Sequence, residues 1–166
     1  EHKGNQFGIA TFSKYPIVNR SDKFFGENKI NNGVLITDVK NNEDTLRIIN
    51  VHLESFKLGK EDYLHLNALA DTTMESMWTK PTKTMLIKIQ KAFEKRSEQI
   101  SYISDIVDTS PYPVVLCGDF NELPHSFLYR KIARRLNDSF KEVGSGWGKT
   151  LVTKIPALRI DYAFHS

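Results

Sequence analysis

The chain has 166 residues, of which 40% are hydrophobic and 26% charged, with a formal net charge of +3. That length supports one domain with a real core, and the composition excludes a disordered chain. No apolar run reaches the length of a membrane span and no signal peptide is visible. The single cysteine, Cys117, excludes an internal disulfide and a cysteine-based zinc site.

The chain opens with Glu1 rather than Met, so it is expected to be a piece of a longer protein, and its compartment stays open. The segment Gly8–Phe12 reads as a short strand, broken by Ser13 to Pro16 because Pro16 disfavours helix at Tyr15 and cannot donate a ladder bond. Residues 19–32 are polar and Asn-rich, with Phe24-Phe25 as a short edge strand. Gly33–Val39 and Leu46–Leu53 flank the polar turn Lys40–Asp44 and predict a β-hairpin. Residues 54–79 are the least legible, with a weakly periodic helix over Glu61–Trp78 and a connection over Thr79–Thr84.

A long helix is predicted from about Leu86 to Val107, where Phe93, Ile100, Ile103 and Val107 fall in one apolar stripe. Ser110-Pro111-Tyr112-Pro113 ends it. Val114-Val115-Leu116-Cys117 then reads as a buried strand, covered on both faces and stopping at Gly118. In that setting Cys117 is a small hydrophobe rather than a reactive thiol. Ser126 is the expected N-cap of a helix through Leu136, with Leu128, Ile132 and Leu136 in register. The glycine loop Gly144–Thr150 lacks the spacing of a phosphate-binding loop. A last strand runs from Leu158 to Phe164.

Charge is unevenly spread. Residues 80–96 carry Lys80, Lys83, Lys88, Lys91, Lys95 and Arg96 against Glu94, a net of +5, and residues 127–136 a net of +4. Such patches suit a polyanion, although solvated helix faces look the same in sequence.

The chemistry-bearing residues stand at strand ends. Asp119 and Asn121 in Gly118-Asp119-Phe120-Asn121 lie two apart, so in extended chain they face one substrate atom. A carboxylate there positions a water and an amide stabilises an oxyanion. The same two residues are also ordinary loop formers that bond their own backbone. Asn50 and His52 end another strand, and Asp161 sits in Arg159-Ile160-Asp161-Tyr162.

With Gly8 to Ile17, Asn50 to Leu53, Gln99 to Ile103, Gly118 to Ser126, Gly146 to Thr150 and Arg159 to Tyr162 in this order, the chain resembles the endonuclease/exonuclease/phosphatase superfamily. That group of metal-dependent phosphodiesterases and phosphatases includes the DNase I-like enzymes, and the motifs are most similar to those of bacterial members. The resemblance spares only the variable region from Phe56 to about Ile89. It implies an α/β (α+β) fold, part of a four-layer β-sandwich of two mixed sheets with outer helices.

Carried over, Asp119 orients or deprotonates the attacking water, Asn121 and His52 bind the scissile phosphate, and Asp161 buttresses the metal site. Asn50, Thr150 and Arg159 lie with the substrate. Magnesium or manganese is the implied cofactor, met here by Asp119 and Asn121. The family's early Asn and metal-holding Glu, and its closing Ser-Asp-His, have no counterpart in this chain.

Residues 1–166 are therefore expected to be the C-terminal portion of one catalytic domain, lacking the N-terminal half and the last Asp-His strand. The chain alone is expected to bind magnesium weakly, to be essentially inactive, and to self-associate through an exposed sheet face. The substrate implied is nucleic acid or another phosphoester; a lipid or inositol phosphate and a non-catalytic phosphate-binding module are the alternatives.

Overall fold

The computed structural model describes residues 8–26, 32–57, 59, 83–152 and 158–166. Asn42 takes the left-handed conformation (φ 56°) that an asparagine tolerates, and this closes a two-residue turn between paired Asn41 and Asp44. The hairpin expected from the flanking β-rich runs is thus present, with a tighter turn: β2 (Gly33–Asn41) and β3 (Asp44–His52). Before it comes β1 (Ile17–Phe24), and after it α1 (Lys83–Asp108), β4 (Val114–Asp119), α2 (Phe127–Ala133), β5 (Asn137–Asp138), α3 (Ser139–Val143) and β6 (Asp161–His165). The architecture is mixed α+β, one sheet with helices packed on it. Its order is β1-β2-β3-β4-β6-β5, antiparallel throughout except for the parallel pair β3–β4.

One sheet face makes the core. Val34, Ile36, Ile49, Val51, Leu116, Tyr162 and Phe164 meet Ile100 and Ile103 of α1 and Leu128 and Ile132 of α2, all buried. Each such aliphatic side chain contributes roughly 1.5–3 kcal/mol on leaving water. Ser126 caps α2 as expected, its hydroxyl accepting from Tyr129 N–H at 2.9 Å. The helix stops at Ala133 rather than Leu136, yet Leu136 remains buried.

Several expectations are corrected. Gly8–Phe12 is not a strand; it runs without a ladder, tied to the sheet by Asn50 Nδ2 donating to the Ala10 carbonyl at 3.1 Å. The first strand lies further on: β1 runs through residues read as polar and reaches Phe24, where only a short edge strand was expected. β1 is an edge strand exposed at every position, so burial imposes no apolar alternation on it. Phe93 is 42% exposed, because the buried stripe of α1 is Met85, Ala92, Arg96, Gln99, Ile100 and Ile103, with a charged residue inside it. The last strand begins at Asp161, not Leu158. The short α3, capped by the Asp138 carboxylate at Phe140 N–H, is absent from the expectations. The helix expected over Glu61–Trp78 lies outside the described residues.

β4 departs most instructively. Val114 and Leu116 are buried, but Val115 and Cys117 are only half-buried, so the strand is not covered on both faces. Burial still pushes the Cys117 thiol up, which keeps it protonated and unreactive. Leu35, Ile48, Val115, Cys117 and the exposed Ala163 share this second, half-open face. Among the described residues no helix is long and apolar enough to cross a membrane.

The strand also does not stop at Gly118 but passes through it to Asp119. Gly118 has φ 134°, and a Cβ there would stand 1.9 Å from the Val51 carbonyl oxygen. Only glycine lets β4 approach β3 so closely at this point. Gly118→Ala is therefore expected to lower the unfolding free energy by roughly 3–4 kcal/mol, read as a fall in the urea midpoint; an unchanged midpoint would contradict the close approach.

Candidate active site

β3 and β4 are parallel, so both deliver their carboxyl ends to the same edge of the sheet, and β6, antiparallel to β4, starts there. The register puts His52 opposite Asp119, and Asp119 opposite Asp161. Paired residues share a sheet face, so the three side chains stand in a row across three strand ends, on the half-open face. His52 Nε2 and Asp119 Oδ2 are 3.8 Å apart, with the two side chains 33% and 28% exposed.

Desolvation raises the Asp119 carboxyl above its ordinary range, and the neighbouring Asp161 charge adds to this. The Asn121 N–H bond, His52 and the positive charge of Arg96 work in the opposite direction. A carboxylate moved towards neutrality is a better proton acceptor at physiological pH.

Asn121 sits in the left-handed region (φ 49°). Its N–H donates to Asp119 Oδ1 at 2.8 Å, and its Nδ2 donates to the Leu53 carbonyl at 3.0 Å. The Asp-x-Asn segment is thus a loop-forming turn and a carboxylate-orienting device at once, and one amide hydrogen of Asn121 is spent on the end of β3. Asn50 lies on the same face as His52, with Nδ2 bonded to Ala10. The Thr150 hydroxyl accepts from Ile160 N–H (3.0 Å) and Asp161 N–H (3.2 Å), which fastens the glycine loop to the start of β6. A depression beside Asp161 is lined by Thr150, Lys149 and Phe140.

Arg159, expected with the substrate, is 5% exposed and lines the depression beside Asp161; its guanidinium forks onto Asp138 at 2.9 and 2.7 Å. Phe140 and Tyr162 flank it at 4.7 Å each. Less of the basic patches is unpaired at the surface than the sequence suggests: Arg96 is internal, Arg135 pairs with Asp108, Lys95 meets Glu54, and Lys80 lies outside the described residues.

The strand ends are cross-tied. Leu53 N–H donates to the Asp119 carbonyl and Phe120 N–H to the Ile160 carbonyl, each at 2.9 Å. The Tyr162 hydroxyl bridges the Glu122 and Arg159 carbonyls at 2.7 and 2.8 Å. Sequence reasoning missed Glu54, Arg96 and Glu122, all buried beside the site. The available signal was Arg96 at an apolar position of the α1 stripe, since a charge there needs a partner.

No group of three or more His, Cys, Asp or Glu able to hold a metal occurs among the described residues. Two mutually repelling carboxylates at adjacent positions nevertheless form an all-oxygen donor set of the kind a hard divalent cation neutralises.

The model of the Endonuclease/Exonuclease/phosphatase family matches residues 1–166. Among curated proteins, protein angel homolog 2 of Danio rerio is 46% identical over 52 residues, 31% of this chain and 9% of that protein. The human Nocturnin catalytic domain superposes with a TM-score of 0.54 at 16% identity, over 92% of this chain and 48% of its own. Sphingomyelinase C from Streptomyces griseocarneus gives 0.52 at 18% identity, over 92% and 50%. The chain spans about half the length of these two solved structures, and at such identities they show the fold alone.

Because the folded state raises the Asp119 pKa, its ionised form weakens the fold above that pKa, and the penalty vanishes below the ordinary carboxylate value. Asp119→Asn is therefore expected to raise the thermal midpoint at pH 7 by roughly 2–4 °C. The gain should fade as pH falls through the raised pKa towards the unfolded one. Scanning calorimetry across that range checks the sign, and a lower midpoint at pH 7 would refute it.

Proposed function

The chain belongs to the Endonuclease/Exonuclease/phosphatase family, and from that premise we propose that it carries catalytic residues of a metal-dependent phosphoesterase acting on phosphodiesters, nucleic acid foremost. The observation that supports this best is the row His52–Asp119–Asp161, on one face at three adjacent strand ends. A base, an acidic partner and a hydrogen-bonding imidazole are what attack on a charged phosphorus centre requires.

Asp119 takes a proton from a water as that water's oxygen forms the new bond to phosphorus and the bond to the leaving oxygen breaks. Its Oδ1 is already fixed by Asn121 N–H, which leaves Oδ2, the oxygen that faces His52, for the water. His52 hydrogen-bonds a non-bridging phosphate oxygen as charge builds there, and the second N–H of Asn121 Nδ2 supplies another donor. Magnesium, held by Asp119, by the Asn121 amide oxygen and near Asp161, would neutralise charge on the phosphate and the leaving oxygen. Only ionised Asp119 can accept the proton, so the rate is expected to fall as pH drops through its raised pKa.

Two carboxylates and one amide make a weak cation site. Titration calorimetry of the 166-residue chain with magnesium is expected to give a Kd on the order of 1 mM or weaker, and its turnover is expected to stand barely above background; micromolar binding would overturn that view. Hydrolysis should be assayed with magnesium on single- and double-stranded DNA, RNA and inositol phosphates. The residual turnover is expected to fall to background in Asp119→Ala and His52→Ala. Rates equal to the unsubstituted chain on every substrate would remove these residues from the mechanism.

A further inference from the structure

Arg96 lies on the buried stripe of α1 and is 1% exposed. A guanidinium sealed from water is costly unless its donors are met, and an apolar side chain of similar volume would fill the same place without that cost. What the guanidinium adds is a planar fork that can hold two acceptors in a fixed relation.

Here the two acceptors come from different loops. Arg96 Nε donates to Glu122 Oε1 at 2.5 Å, and Nη1 donates to the Glu54 carbonyl at 2.7 Å. Glu54 follows His52 by two residues, and Glu122 follows Asp119 by three. Gln99, one turn along α1, accepts the Glu54 N–H through Oε1 at 3.0 Å, so α1 grips both backbone polar groups of that residue. The Phe56 ring lies 4.3 Å from the guanidinium carbon and helps to close the site of contact. His52 and Asp119 themselves meet at 3.8 Å, too long for a hydrogen bond to set their separation.

We propose that Arg96 is a positioning residue for the His52–Asp119 pair: by bridging the loop after β3 to the loop after β4, it holds the two side chains at the spacing that receives a phosphate. The proposal rests on the phosphoester reading. A lysine at position 96 keeps the charge but lacks the fork, so it separates position from electrostatics.

The test uses inorganic phosphate and the 166-residue chain, followed through the imidazole Cε1–H signal of His52, identified by its loss in His52→Ala. Phosphate is expected to move this signal saturably. Arg96→Lys should weaken the affinity read there by about tenfold or more while the thermal midpoint stays within a few degrees. Glu122→Ala should weaken it as much, and Glu122→Gln, which still offers an acceptor, should restore most of it.

Wild-type affinity in a folded Arg96→Lys chain overturns the proposal and leaves the phosphoester reading standing. If Arg96→Lys does not fold, the two Glu122 variants decide, and equal affinity in both and in the unsubstituted chain overturns it. No phosphate response in the unsubstituted chain sinks both readings together.

Discussion

The parallel pairing of β3 with β4 is the constraint on which the molecule depends. Every other neighbouring pair in the sheet is antiparallel. Two parallel strands end at the same edge, and connecting them requires the chain to cross back over the sheet. That crossing includes α1, which lies between them in sequence. One topological choice therefore places His52 beside Asp119 and also brings Arg96 and Gln99 over the loops that follow. The antiparallel return of β6 then starts at the same edge, which is why Asp161, near the far end of the chain, completes the row.

The forces behind this arrangement divide between the two faces of the sheet. The helix-covered face is apolar and closes around Ile49, Leu116, Ile100, Ile103 and Ile132, all fully buried. The opposite face is half-open, and it is the one that presents His52, Asp119 and Asp161. Desolvation there is enough to raise the Asp119 carboxyl without hiding it from a ligand. A site built on the covered face would have been sealed, and one on a fully solvated face would have left the carboxylate in its ordinary range.

Buried charge is used around the edge of this row rather than inside it. Against desolvation by burial, Arg159 and the Tyr129 hydroxyl lower the Asp138 carboxyl, and the three form a satisfied cluster at β5, beside the Phe164 end of β6. Glu54 is likewise lowered, by Lys57 and Lys95 against the opposing effect of burial. Each cluster joins elements far apart in sequence, so each fixes a loop that the hydrophobic core alone would leave free.

The hairpin, the long helix, the capped α2 and the central strand were legible because each rests on a local signal: a β-rich run around a polar turn, a 3.6-residue period, a serine before an apolar register. Local chemistry likewise singled out Asp119 with Asn121, His52 and Asp161, which the fold brings to neighbouring strand ends. It failed where burial is decided by distant chain. β1 shows no alternation because both faces of this edge strand are exposed, Phe93 lies outside the stripe that Arg96 occupies, and the partner of Arg159, Asp138, lies twenty-one residues away.

The sequence by itself thus determined which side chains could do chemistry and which segments are strand or helix, since those depend on neighbours along the chain. Only the tertiary structure decided that three strand ends meet on one face, which arginines remain available to a ligand, and what holds the row together, because these are settled by residues brought near one another through folding.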